Sequence, residues 1–150
     1  MFKYLKYNVL ILFTLLNMGS CEEKIVPSGN IVPTISFVSI SNIKMKQFTD
    51  TLSIKLHYED GDGDLGDIHP DSMSFFVRDT RLNFPDRYHL LPLSPNSAKV
   101  NIEGDLVLKL KNIFLLSPSP SENTTFEIKV KDRSNHMSNV IFTPKIEIIR

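Results

Sequence analysis

The sequence predicts an all-β fold: a single antiparallel β-sandwich of about seven strands that follows a signal peptide and a short linker. Three observations support this prediction. From residue 34 onward, apolar residues mostly recur at every second position, which is the period of a strand with one buried face. No window of eleven residues after the signal peptide shows a convincing helical stripe. Turn-forming Gly, Pro, Asn, Asp and Ser cluster between the apolar runs, at a spacing typical of sandwiches.

The amino-terminal residues have the pattern of an export signal. Lys3 and Lys6 precede an apolar stretch at 9–16, and small residues follow it. A charged, an apolar and a small-residue region in this order predict a secretory signal peptide over residues 1–20. Eight apolar residues are too few for a membrane-spanning helix, which needs roughly 20, so we expect cleavage.

Cys21, the single cysteine of the chain, lies where the small-residue motif ends. The run from Met18 through Gly19 and Ser20 to Cys21 resembles the lipobox of bacterial lipoproteins, although that family usually has Leu where Met18 stands. The resemblance implies that Cys21 is lipidated and that its acyl chains anchor the protein to a membrane. An ordinary signal peptide with an incidental cysteine is the alternative. One cysteine cannot form an internal disulfide.

Two acids, Glu22 and Glu23, follow the cysteine directly. They resemble the export signal of Bacteroidota-type lipoproteins, which implies a lipid-anchored position on the outer membrane, exposed at the cell surface. The periplasmic face is the alternative, as is a merely solubilising role for the two acids. Residues 21–33 contain Pro and Gly with little periodicity and are interpreted as the lipidated cysteine and linker, which leaves 34–150 as the domain.

The charge balance excludes one class of partner. The chain has 17 acids and 17 Lys and Arg residues, and removal of residues 1–20 takes away two lysines, leaving 15 bases. A nearly neutral domain lacks the basic surface that binding to nucleic acid requires. We therefore expect no nucleic-acid partner.

The clearest predicted strands are 52–58 and 126–130, where apolar and polar residues alternate. Further strands are predicted at 35–40, with a bulge at Phe37-Val38, and at 73–77, 88–93, 106–110 and 140–148. Seven strands with this spacing favour a sandwich of immunoglobulin-like type. The polar turn 131–139 and the following Thr143-Pro144 also resemble the ending of bacterial immunoglobulin-like and fibronectin-like domains. Pro144 suits an edge strand or a bulge, because proline cannot donate to a ladder.

The most informative motif is an acidic loop after strand 52–58. Asp60, Asp62 and Asp64 alternate with glycines, and no Lys or Arg occurs between Lys55 and Arg78. Calcium prefers six to eight oxygen ligands, and such a loop can direct several carboxylates at one centre. The spacing, similar to that of an EF-hand, adds the Gly66 carbonyl and Asp71, although Leu65 occupies the usual glycine position and the flanks are strands. The predicted calcium ligands are Asp60, Asp62, Asp64, Gly66 and Asp71.

The turn between the last two strands is expected at the same pole of the sandwich, where Asp132 or Asn135 would complete the ligand set. The segment 56–66 also resembles the strand and acidic turn of small Bacteroidota lipoproteins with immunoglobulin-like domains. Two alternatives to calcium are a solvated Asp and Gly turn and zinc held by His57 and His69 with carboxylates.

No catalytic motif is present: the chain lacks a nucleophile elbow, an H-E-x-x-H motif and a phosphate-binding glycine loop. We therefore expect a non-enzymatic, lipid-anchored envelope protein with a calcium-stabilised sandwich, which acts as a binding or accessory module for a glycan or protein partner. The alternatives are a structural envelope lipoprotein without ion dependence and a small hydrolase that uses the loop carboxylates.

Overall fold

The computed structural model of the protein describes residues 29–95 and 99–150. These ranges contain ten strands and no helix. The strands are β1 (Thr34–Ile40), β2 (Lys44–Lys46), β3 (Leu52–Asp60), β4 (Met73–Asp79), β5 (Asp86–His89), β6 (Ile102–Leu110), β7 (Ser121–Thr124), β8 (Phe126–Val130), β9 (Ile141–Phe142) and β10 (Ile146–Ile149).

The two larger sheets share one apolar core. The first has the order β1-β3-β6 and the second the order β5-β4-β8-β9, and all pairs in both are antiparallel. Alternate residues of β3 and β8 are buried, as expected when one face of each strand packs inward, and β4 buries Ser74, Phe75 and Val77. The core includes Leu52, Ile54, Leu56, Phe75, Val77, Phe126, Ile128 and Val130. The predicted all-β fold is confirmed.

A third sheet has the order β2-β10-β7. Here β10 is antiparallel to β7 but parallel to β2, so one pair departs from the antiparallel prediction. Parallel neighbours need a long connection between them, and β2 and β10 lie near opposite ends of the described chain. This sheet contributes three buried side chains to the main core: Met45, Ile146 and Ile148.

The strands differ from the prediction in number and in some boundaries. The short strands β2 and β7 are largely polar and carry no apolar period, so they were not predicted. The predicted strand 140–148 is divided into β9 and β10, with Pro144 between them. The strand predicted at 88–93 lies earlier, at β5, and β6 begins four residues before the predicted 106. The bulge at Phe37-Val38 is confirmed, because the register of β1 against β3 shifts between Phe37 and Ser39.

Strand β3 ends at the end of the sandwich where the predicted calcium ligands Asp60, Asp62 and Asp64 lie. Its last residue is Asp60, and the backbone N–H of the following Gly61 donates to the Asn30 carbonyl at 2.9 Å. The turn 131–137 after β8 reaches the same end through a bridge between Leu65 and Asp132. We call this end, formed by Asn30, residues 60–66 and residues 132–136, the acidic pole.

Candidate metal centre

Asp60 takes a core position at the end of β3. The strand alternates buried and more exposed residues, and Asp60 occupies the next buried place after Tyr58. Only 1% of its surface is exposed. A buried carboxylate destabilises a fold by several kcal/mol unless it is paired or bound to a metal. The end of β3 therefore needs a compensating group.

Asp62 and Asp64 lie beside Asp60, and we call the three residues the acidic triad. One carboxylate oxygen of each lies within 4.8 Å of the others. The Oδ1 atom of each is buried and has no hydrogen-bond partner among the described residues. Buried oxygens that converge without donors have the arrangement of metal ligands. The acidic triad could therefore hold a metal ion.

The electrostatics of the triad point the same way. Burial and, to a smaller extent, the neighbouring charges of Asp64 and Asp62 raise the pKa of Asp60 to about 6, although a hydrogen bond from the backbone N–H of Leu65 to Oδ2, at 2.8 Å, opposes the rise. Like charges in close contact favour either protonation or a counter-charge. A cation would relieve both the burial and the repulsion.

The Arg133 guanidinium binds the backbone of the acidic loop and does not form an ion pair with the triad. Nη1 of Arg133 donates to the Gly66 carbonyl at 2.7 Å and Nη2 to the Gly63 carbonyl at 3.3 Å. In the described ranges, no Lys or Arg forms an ion pair with any of the three aspartates. Arg133 therefore fixes the loop backbone and leaves the carboxylates unpaired.

Two glycines allow the loop to fold around the triad. Gly63 and Gly66 have φ angles of 69° and 83°, in the left-handed region that favours glycine. A Cβ at Gly63 would lie 2.4 Å from the Val100 carbonyl oxygen, and one at Gly66 would lie 2.2 Å from that of Leu91. The alternation of Asp and Gly therefore has a steric cause as well as a chemical one.

The second turn binds the first, as predicted for turns at one pole. The N–H and Oγ of Ser134 donate to Oδ2 of Asp64 at 3.1 and 2.7 Å. The backbone N–H of Arg133 donates to the Asp64 carbonyl at 3.2 Å. Both side-chain bonds go to Oδ2, and Oδ1 of Asp64 stays buried without a donor among the described residues.

Asp132 and Asn135, the two additional candidates, have other roles in the turn. The Asp132 carboxylate accepts bonds from the backbone N–H of His136 at 2.7 Å and lies 2.8 Å from His136 Nδ1. It is not among the carboxylates that converge within 4.8 Å. Asn135 has a φ of 69° and its N–H donates to the Asp132 carbonyl at 3.3 Å. The hydrogen bond with Asp132 raises the pKa of His136.

Gly66 and Asp71 are the two EF-hand-like positions, and Asp71 does not join the converging carboxylates. The Gly66 carbonyl accepts the bond from Arg133 described above. Asp71 is exposed and lies outside the converging group. Residues 67–72 form a separate turn, in which Oδ1 of Asp67 accepts from the N–H of His69 at 2.9 Å. Of the four predicted carboxylate ligands, the converging group thus contains Asp60, Asp62 and Asp64 but not Asp71, and the Gly66 carbonyl stays a predicted ligand.

The histidines of the zinc alternative lie elsewhere. His57 Nδ1 lies 3.0 Å from Asp105 on the outer face of β3 and β6. His69 lies in the turn after the loop and is exposed. Neither joins the carboxylate group found in the described residues.

Three residues that bind the acidic loop were not singled out from the sequence: Arg133 and Ser134 of the acidic pole, and Ser94 from outside it. Ser94 Oγ donates to the Gly63 carbonyl. Arg133 and Ser134 follow Asp132 directly, so the predicted meeting of the two turns could have pointed to them. Ser94 comes from a distant loop with no recognisable motif, and only the tertiary fold reveals it.

The predicted signal peptide 1–20, the lipidation site Cys21 and most of the linker 21–33 lie outside the described residues. Among the residues that are described, no helix is long and apolar enough to cross a membrane. No protein-family model, curated protein or solved structure matches this chain.

Proposed function

We propose that the protein is a non-enzymatic, lipid-anchored envelope protein whose β-sandwich is stabilised by calcium at the acidic triad. In this proposal the domain is a binding or accessory module at the outer membrane, exposed at the cell surface. Two observations support the calcium part of the proposal: one carboxylate oxygen of each aspartate lies within 4.8 Å of the others, and the Oδ1 atom of each is buried without a hydrogen-bond partner among the described residues. The sequence around Cys21 carries the part that concerns the membrane.

The ligand chemistry favours a hard cation. All three side chains offer carboxylate oxygens, whereas zinc and copper sites in proteins commonly use His or Cys. Opposite ligands of a calcium ion are about 4.6–5.2 Å apart, from calcium–oxygen distances of 2.3–2.6 Å. Oxygens within 4.8 Å of one another fit on such a sphere. Water and backbone carbonyls would supply the remaining ligands.

A bound ion would stabilise the acidic pole as a unit. Asp60 belongs to β3, Asp64 is bonded to Ser134 of the second turn, and Gly61 is bonded to Asn30. The ion would therefore connect the end of one strand with the turn after β8 and with the last residues of the predicted linker.

The membrane part of the proposal places the acidic pole towards the tether. Asn30 lies at this pole, and the predicted linker ends only three residues later, at Pro33. Lipidation of Cys21 would therefore hold the acidic pole nearer the membrane and leave the opposite end of the sandwich free. That opposite end is where a glycan or protein partner would have access.

Thermal unfolding of the purified protein tests the calcium proposal. The melting temperature is measured in excess calcium and in chelator, for the natural chain and for the triple variant Asp60→Asn, Asp62→Asn and Asp64→Asn. We expect calcium to raise the melting temperature of the natural chain and not that of the variant. Asp86→Asn, an exposed acid of β5, is the matched control and should retain the response. Identical curves for the natural chain in calcium and chelator would reject calcium and favour an ion-independent envelope protein.

A further inference from the structure

Strand β6 presents a long edge. Its nine residues pair with β3 over their whole length, from Ile102 opposite Asp60 to Leu110 opposite Leu52. Among the described residues, no strand pairs with its other side. The main-chain groups on that side are available to water or to another strand, and proteins usually protect such an edge.

An apolar groove runs beside this edge, between β6 and β5 of the other sheet. It has a volume of about 240 Å³ and is lined by Phe75, Tyr88, Leu90, Leu106 and Leu108, among others. Leu106 and Leu108 are only half-buried, although they point to the core side. A strand added to β6 would therefore find both main-chain partners and an apolar surface.

The two faces of β6 differ sharply. Even-numbered residues face the core side, and the odd-numbered ones are exposed: Glu103, Asp105, Val107 and Lys109. Asp105 already has a counter-charge, because it forms a 2.7 Å ion pair with Lys55. Glu103 lies opposite Glu59, which is an unfavourable cross-strand pair. In the described ranges, neither Glu103 nor Lys109 has an ion-pair partner.

We propose that β6 pairs antiparallel with β6 of a second copy of the chain, with Leu106 opposite Leu106. Leu106 is the middle residue of β6, so this register pairs all nine residues. It places Glu103 of each copy opposite Lys109 of the other and forms two symmetric ion pairs. The two three-stranded sheets join into one, and the apolar residues of both copies meet over the groove.

The register follows from charge as well as from length. A register shift by one residue would place the core-side residues of one copy beside the exposed residues of the other. The pairing must therefore keep apolar residues of both copies on the same face of the joined sheet. Moving the centre to Val107 would pair Asp105 with Lys109, but Asp105 is already engaged by Lys55 and His57. The centre at Leu106 instead supplies counter-charges to the two residues that have none.

A charge-swap experiment on the full chain tests the pairing. Sedimentation over a concentration series up to about 1 mM gives the dimer dissociation constant. Glu103→Lys and Lys109→Glu should each weaken dimerisation by roughly tenfold or more, because each creates two like-charge pairs. An equimolar mixture of the two variants should form a heterodimer, since both of its cross-strand pairs are again opposite in charge. Lys111→Glu, just beyond β6, is the control and should dimerise as the natural chain does.

A covalent trap checks the register independently. In a Cys21→Ser background, Leu106→Cys should form an intermolecular disulfide under mild oxidation, because directly opposed residues of antiparallel strands have Cα atoms about 4.5–5.5 Å apart. A natural chain that stays monomeric throughout the series overturns the proposal. A dimer that neither charge swap weakens, a mixture that does not form the heterodimer, or an equal effect of Lys111→Glu also overturns it.

Discussion

The Asp64 carboxylate and Ser134 are joined by two hydrogen bonds although 70 residues separate them in the chain. Both bonds end on Oδ2, at 3.1 Å from the Ser134 N–H and 2.7 Å from its Oγ. Oδ1 of the same carboxylate is buried and has no donor among the described residues. Ser134 therefore orients Asp64 for a ligand, and the turn after β8 becomes part of the candidate metal centre.

Ser134→Ala should weaken calcium binding without removing any ligand. The variant loses the Oγ bond but keeps the backbone N–H bond, so Asp64 becomes less well oriented. We expect a loss of stability of about 0.5–1.5 kcal/mol in calcium and a weaker affinity by calorimetry. Ser119→Ala, in the loop before β7, is the matched control. Equal calcium affinities of Ser134→Ala and the natural chain would show that Ser134 does not position the site.

Asp60→Asn should change the stability in opposite directions with and without calcium. In chelator the variant removes a buried, unpaired charge, so it should be at least as stable as the natural chain. In calcium at about 100 times the dissociation constant, the natural chain gains about 2.7 kcal/mol that a non-binding variant does not. Urea unfolding in both conditions measures the difference. A variant that is less stable by the same amount in chelator and in calcium would contradict the metal role of Asp60.

Gly66→Ala should destabilise the acidic pole for steric reasons alone. Its φ of 83° and the 2.2 Å approach to the Leu91 carbonyl oxygen both oppose a side chain. We expect a loss of about 1–3 kcal/mol in chelator as well as in calcium. Gly104→Ala is the control, because the closest atom there is the hydroxyl of the Tyr58 side chain, at 2.9 Å, which can move more easily than backbone. Equal stabilities of Gly66→Ala and the natural chain would mean that the loop adopts another backbone path.

The sequence predicted well those parts whose residues carry their own pattern. Alternation identified the segments that form β3 and β8, and the spaced aspartates identified the acidic triad. The sequence pattern could not identify β2 or β7, because these strands form through their pairing with β10 and have no apolar period. The contribution of Ser94 likewise depends on contacts across the fold. Local pattern therefore predicts which residues enter a site more readily than which residues support it.

Cys21→Ser should release the protein from membranes. If Cys21 carries acyl chains, the natural chain partitions into detergent-rich phases and sediments with the outer membrane, because two or more chains anchor stably. The variant should appear in the soluble fraction with its sandwich intact. Protease treatment of whole cells then distinguishes a surface position from a periplasmic one. Fractionation of both proteins with membranes in equal amounts would contradict anchoring by lipidation.

Glu122 forms an ion pair with Arg81, in a charged cluster that is remote in sequence from the acidic triad. Its carboxylate accepts from the backbone N–H groups of Leu116 and Ser117 at 3.0 and 2.7 Å, and from Nη1 of Arg81 at 2.6 Å. The bond from Leu116, followed by those from Ser117 and Arg81, lowers the pKa of Glu122 from its ordinary 4.5 to about 2. The carboxylate thereby connects the loop before β7 to Arg81 in the turn after β4.

This pKa determines how Glu122 affects stability in acid. A carboxylate whose pKa is lower in the folded state stabilises the fold fully above its unfolded value of about 4.5 and loses that effect as the pH falls to about 2. Glu122→Gln should therefore be less stable than the natural chain at neutral pH and should approach it in acid. Chelator is present throughout, so that no ion bound at the acidic triad contributes to the measured stabilities. Glu59→Gln, whose side chain is 64% exposed, should follow the natural pH profile. A difference between Glu122→Gln and the natural chain that stays constant from about pH 5 to about pH 2 would contradict the lowered pKa.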